Sequence, residues 1–316
     1  MQLSTLRNNK LKNNREMKKV LLTLAVFMSA TSFAQVFEVA SIKKVSLPKK
    51  SLVTVAGISP KGDYILLTDD KLVGLVKHDL TSGQNEVIST GLSAGYGPKI
   101  SKDGKSILYR EDQYVNRLRY SDVKQFNLTT GKKTSLIKAT RNLQGLNFHG
   151  KTAAVVNNGA VLAKSSTGAV VSVSTPVVSI NNRQLMITKG GVTSVLSPNG
   201  TQHSYIWPSV SPDGTKVCYY VCGVGCFVCD VNGNNVKNLG VLRAAQWYDD
   251  NTVVGMQNKS DEYTVVESKI VAKTLDGKTQ TLTDGSTVAM YPYASKDAKK
   301  IVYSTWDGEA YLINIK

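Results

Sequence analysis

All four cysteines of this 316-residue chain fall in one stretch, Cys218-Tyr-Tyr-Val-Cys222-Gly-Val-Gly-Cys226-Phe-Val-Cys229. Four thiols this close could hold zinc, run redox chemistry, form a disulfide or simply pack. Their spacing is x3, x3, x2 rather than two CxxC knuckles, and Asp230 stands where a haem-attachment motif needs histidine. The other reactive side chains are scattered. His78, His149 and His203 show no paired metal-ligand spacing, and Asp69-Asp70 and Asp249-Asp250 sit in turn-like stretches where at most calcium would bind weakly. Gly91-Leu-Ser-Ala-Gly95 has the form Gly-x-Ser-x-Gly. A nucleophile elbow needs a helix after the serine, and Gly95-Tyr-Gly-Pro98 cannot begin one. No glycine-rich phosphate loop opens a helix. No catalytic residue, metal or cofactor follows from these stretches, and no enzyme is expected.

Compartment and charge narrow the field. Met17–Ala34 has two lysines, a short apolar run and small residues ending in Ala34, the pattern of a signal peptide. Residues 1–34 are therefore expected to be removed, with Met17 the true start, leaving 35–316 as a periplasmic or secreted product. No later run is long and apolar enough for a membrane span. The chain carries 39 Lys+Arg against 23 Asp+Glu. Residues 1–34 hold six of the bases and one of the acids, leaving a net +11. Such a balance favours acidic partners. The bases are dispersed without a basic-aromatic nucleic-acid module, so nucleic acid is not expected.

The elements that position these residues come from a repeat. Gly97-Pro-Lys-Ile-Ser-Lys-Asp-Gly104, Trp207-Pro-Ser-Val-Ser-Pro-Asp-Gly214 and Tyr291-Pro-Tyr-Ala-Ser-Lys-Asp297 match, and Ala56-Gly-Ile-Ser-Pro-Lys-Gly62 is a fourth copy. Each reads as a strand, a tight turn and a second strand. A further turn follows about 20 residues on, as in Asp79-Leu-Thr-Ser-Gly83. Four antiparallel strands in about 40 residues is a β-propeller blade. The chain reads as all-β, a single propeller of four-stranded blades near 52–91, 92–141, 142–176, 177–204, 205–241 and 242–285, with a last one from Thr287. The count is seven, or six if 142–204 forms one irregular blade. The last blade lacks a strand, which Val36–Val45 would supply by pairing the N-terminus with the C-terminal blade.

On Trp207–Gly214, Gly97–Gly104 and Tyr291–Asp297 the chain resembles the TolB family of periplasmic propellers, related in architecture to WD-repeat propellers. The resemblance covers residues 52–316. It implies a binding scaffold, often for another protein. The family's N-terminal α/β domain has no counterpart between Gln35 and Leu52, so roles that depend on it do not transfer.

The repeat sorts loops onto two faces. Short stereotyped turns lie on one, and variable loops on the other, where recognition residues gather. On the variable face the candidate partner-binding residues are Tyr96, Tyr114, Arg117, Arg119, Tyr120, Arg141, Trp207, Tyr291 and Trp306, types that dominate interface energies. The stretch Glu111–Asp122 is expected as a long loop. Trp207 and Tyr291 share a repeat position and could instead pack between blades. The cysteine stretch becomes a hairpin with Gly223-Val-Gly225 at its tip, placing Cys222 opposite Cys226 for a disulfide. Buried free thiols are the alternative, with metal or redox work last. Two functions follow: a non-catalytic, monomeric scaffold that binds an envelope protein, or a propeller, a divergent enzyme included, that binds a glycan or small ligand in its central funnel. The first is favoured because the identified first-strand residues, such as Lys99, Ser209 and Tyr293, include no carboxylate.

Overall fold

The Ser-x-Asp-Gly turn is the local unit from which the fold grows. In the copy at 211–216, Ser211 Oγ donates to Asp213 Oδ1 at 2.5 Å, Asp213 accepts from the Thr215 N–H, and Lys216 N–H donates to Ser211 Oγ. Gly214 takes φ +76°, which a side chain would resist. The copy at 101–106 repeats this, with Ser101 on Asp103 at 2.7 Å and Gly104 at φ +72°. Each such turn fixes a hairpin, and each hairpin starts a sheet.

Seven sheets result in the computed structural model, which describes residues 35–47, 53–165, 169–171, 175–261 and 264–316. All lie in the unit Val36–Lys316. The expected signal peptide, residues 1–34, lies outside the described residues. Blade 1 is Val53–Ile58, Tyr64–Asp69, Leu75–Asp79 and Asn85–Ser89; blade 2 is Lys99–Ile100, Ser106–Val115, Leu118–Asn127 and Lys133–Thr140. Among the described residues, blade 3 comprises Leu143–His149, Thr152–Asn157 and Ala160–Lys164, and blade 4 comprises Val177–Asn181, Gln184–Lys189 and Val192–Val195. A bridge from Lys164 to Val170 marks where blade 3's fourth strand would run. These two blades are the stretch without the Ser-x-Asp-Gly turn, and the expected count of seven blades holds across them. Blade 5 is Tyr205–Val210, Lys216–Val221, Gly225–Asp230 and Lys237–Gly240; blade 6 is Arg243–Trp247, Thr252–Ser260, Val265–Thr274 and Thr279–Thr281.

Blade 7 closes the ring. Ala289–Ser295, Lys300–Thr305 and Ala310–Ile315 take Val39–Lys44 from the N-terminal end as their outer strand. The pairing covers the edge that Ala310–Ile315 would otherwise expose. Just before that strand, Val36 and Phe37 N–H groups both donate to Gln280 Oε1 at 2.7 Å, fastening the approach to blade 6. The first strands of neighbouring blades touch all the way round, from blade 1 through blade 7 and back. They are the innermost ring. Seven apolar clusters fill the seven spaces between neighbouring blades, for example Tyr64 and Leu66 of blade 1 with Ile107 and Tyr109 of blade 2. No helix among the described residues is long and apolar enough to cross a membrane.

Candidate docking face

Antiparallel blades put the turn between strands two and three at the same end as the connection from the preceding blade. Backbone bonds fasten these pieces together: Gly95 N–H to Leu72 O, Cys222 N–H to Ser204 O and Trp306 N–H to Val288 O, at 3.2, 2.9 and 3.1 Å. At the opposite end the remaining turns bond in the same way, as with Leu80 to Asp63 and Val231 to Thr215. The first end carries the candidate residues.

Its most prominent part is on blade 2. The expected loop Glu111–Asp122 is instead a hairpin, because Ser106–Val115 and Leu118–Asn127 pair without interruption up to Val115 and Leu118. The turn is Asn116-Arg117, with both residues at positive φ, 50° and 63°. That is the twist a two-residue hairpin needs. Opposed residues share a face, so Tyr114 and Arg119 lie together on one side, with Asp112 opposite Ser121 and Arg110 opposite Val123. Tyr120 faces the other way, beside Gln113. Tyr114 is 64 % exposed, and Tyr96, in the connection from blade 1, is 54 % exposed. Arg110 joins them: its Cζ lies 4.1 Å from the centre of the Tyr96 ring. Burial lowers the Arg110 pKa and Arg119 adds to this, while Asp112 and Tyr96 oppose it. Arg141 is exposed in the connection that follows this blade's last strand.

On the far side of the same hairpin, Glu111 is tied down. Lys124 pairs with it and Ser89 Oγ donates to it at 2.7 Å. Burial pushes its carboxyl up, but these bonds outweigh burial and hold it below the ordinary range. A Cβ at Gly91 would lie 2.7 Å from Glu111, and one at Gly95 would lie 2.1 Å from Thr68 Oγ1. The two glycines of Gly-x-Ser-x-Gly are therefore set by close packing. Ser93 sits in a turn, and the chain after it enters the strand Lys99–Ile100, not a helix.

The inner ring contributes a second group. Trp207 and Tyr291 occupy bulges in the first strands of blades 5 and 7, with φ of +52° and +50°. Ala244 of blade 6 repeats the bulge at +49°. A bulky residue in this region is strained by about 1–3 kcal/mol. Trp207 meets Tyr220 edge-on at 5.6 Å yet stays 40 % exposed, so it both packs and presents a surface. Trp306 lies exposed in the blade 7 turn. The seven first strands contain no Asp or Glu. Lys99, on one of them, has its pKa lowered by burial. Tyr293, on another, is pushed up to about 12 by burial, with Tyr291 adding to it.

The cysteines need a correction. The register pairs Val221 with Gly225 and Tyr220 with Cys226, one residue away from the expected alignment. Cys222 is an exposed, free thiol in the turn, and Cys226 is buried beside Cys218, with the sulfurs 3.6 Å apart. The expected Cys222–Cys226 disulfide does not form in this arrangement. Gly225 explains the slip: a Cβ there would be 2.9 Å from Gly240 O, so this glycine serves a close strand contact and not the turn. Cys229 points to the opposite face, into the cluster shared with blade 4. No group of three or more His, Cys, Asp or Glu side chains suited to a metal occurs among the described residues.

No protein-family model and no curated protein matches the chain. Solved structures do. A putative TolB from Agrobacterium tumefaciens shares 16 % identity over 87 % of this chain and 96 % of its own, with a TM-score of 0.54. The chain has a TolB-like β-propeller fold. The propeller domain of the trilobed protease from Pyrococcus furiosus is similar at 13 % identity, over 81 % of this chain and 92 % of its own, TM-score 0.53. A chain of a mitotic checkpoint complex is similar at 10 % identity, over 91 % of this chain and 98 % of its own, TM-score 0.57. Identities this low speak for architecture. The function of this TolB-like propeller must come from its own face.

Proposed function

We propose that this protein is an exported, non-catalytic scaffold that binds another protein of the cell envelope through the face carrying the blade 2 hairpin. The carrying observation is the exposed set Tyr96, Tyr114, Arg117 and Arg119 on and beside a projecting, rigidly paired hairpin. Such residues cluster where interfaces draw most of their energy, and a hairpin fixes them at small entropic cost. The inner ring supports the same reading, since its first strands offer no carboxylate for acid–base work. Export rests on the pattern of Met17–Ala34. Purified protein applied to envelope extract and, in parallel, to a glycan array tests the function. A protein captured by the wild type and not by Tyr114→Ala/Arg119→Ala is expected. Tight glycan binding with no protein partner would overturn it.

A further inference from the structure

The Arg110 side of the blade 2 hairpin holds more positive charge than its own carboxylates answer. Alternation puts Arg110, Asp112 and Tyr114 on one side of Ser106–Val115, and the register adds Ser121 and Arg119 from the partner strand. Arg110 makes no ion pair with any described carboxylate, and its Nε is buried with no hydrogen-bond acceptor. Asp112, the acid on that side, is itself buried and accepts the Ser121 hydroxyl at 2.5 Å. Glu111 and Asp122 face the other way, and Glu111 is taken by Lys124. Two guanidiniums thus share a face with one committed carboxylate, and Arg117 stands at the adjoining turn. A buried, unanswered guanidinium N–H is costly unless something arrives to accept it.

We propose that this side of the hairpin is a carboxylate-binding site, and that its occupant is an acidic segment of the partner protein. Arg110 is already oriented, because the Tyr96 ring lies 4.1 Å beneath its Cζ. A guanidinium anchored beside an aromatic ring can present N–H groups as a fork that matches a carboxylate. Arg119 supplies a second cation for a second acid along the segment. Tyr96 and Tyr114, both more than half exposed, offer apolar surface to the methylenes between the charges. The excess of bases over residues 35–316, a net +11 once the six bases and one acid of residues 1–34 are set aside, draws such a segment in.

The proposal rests on reading this face as the docking surface, and its test separates the two. A fluorescein-labelled Glu/Ala-repeat peptide is titrated with wild type, Arg110→Met, Arg119→Ala and the opposite-face control Lys216→Ala. The expected result is saturable, salt-sensitive binding that weakens about tenfold or more in each hairpin variant and not in the control. Arg119 is exposed, so Arg119→Ala keeps the test decisive even if Arg110→Met folds poorly. Equal loss in Lys216→Ala means diffuse attraction and overturns the site. A uronic-acid oligosaccharide that competes more strongly than the peptide overturns the choice of a protein segment. Envelope capture that needs Tyr114 and Arg119 but resists competition by the peptide leaves the docking face standing and overturns only the carboxylate site.

Discussion

Single residues decide where the chain closes up tightly. Gly95 lacks a Cβ because Thr68 fills that space, and Thr68 Oγ1 is itself spent on the Gly74 carbonyl at 2.8 Å. Gly95→Ala is expected to cost about 1–3 kcal/mol by overpacking. Gly83→Ala, where nothing lies within 4 Å and φ is +71°, costs about 1 kcal/mol through backbone strain alone. Denaturant midpoints of the two variants check the order, and a larger loss for Gly83 would contradict it. The thiols separate in the same way. Burial pushes Cys229 up to about 12, and contact with Cys226 together with burial raises Cys218, while Cys222 is exposed. Iodoacetamide is expected to modify Cys222 alone in the native protein and all four cysteines after unfolding, counted by mass. Only two reactive thiols after unfolding would reveal a disulfide. The hairpin register lies one residue from the alignment that the sequence suggests. Gly223 and Gly225 are equivalent as turn formers, and only the approach of Gly240 says which belongs to a strand.

At the scale of the element, turns were readable and strand lengths were not. Ser-x-Asp-Gly carries its conformation in its own side chains, through Ser211 and Asp213 or Ser101 and Asp103. The blade 2 hairpin hides because Arg110-Glu-Asp-Gln113 is charged on both faces, so alternation of polarity stops where the strand continues. Arg110 and Asp112 were missed for that reason, while the aromatic and arginine residues around them were found. The hairpin also keeps Arg117 at φ +63°, where glycine would be unstrained. Arg117→Gly is expected to leave stability unchanged or raise it by up to about 1 kcal/mol, since relief of strain opposes the entropy of glycine. The same variant is expected to weaken partner capture. A stability loss beyond about 1 kcal/mol in thermal unfolding would mean that Arg117 serves the fold, not the face.

For the whole molecule, the repeat foretold the ring and its closure by Val39–Lys44, because a terminal blade short of a strand leaves an edge to be covered. Blades 3 and 4 were less legible, since their turns lack the local signature. The ring also sets the pH range of stability. Burial pushes Asp213 up, but hydrogen bonds from Ser211, Thr215 and Lys216 outweigh it and hold its carboxyl well below the ordinary range. A depressed folded pKa gives stability that is present above the unfolded value near 4 and is lost as pH falls through the folded one. Tyr293 and Tyr303 are pushed up to about 12 by burial, so their contribution is full below the phenol's ordinary value near 10 and is lost as pH rises toward 12. Urea midpoints are expected to form a plateau from about pH 5 to 9 and to fall on both sides. A maximum outside that span would contradict these assignments.

The proposed function requires a partner to meet the ring at the hairpin end. A photo-crosslinking amino acid placed at position 119, on the hairpin, and at position 83, in an opposite-face turn, reports this directly when the protein is irradiated in envelope extract. A crosslink to one protein from position 119 and none from position 83 is the expected result. Crosslinks from position 83 alone, or from neither while a glycan binds tightly, would contradict it.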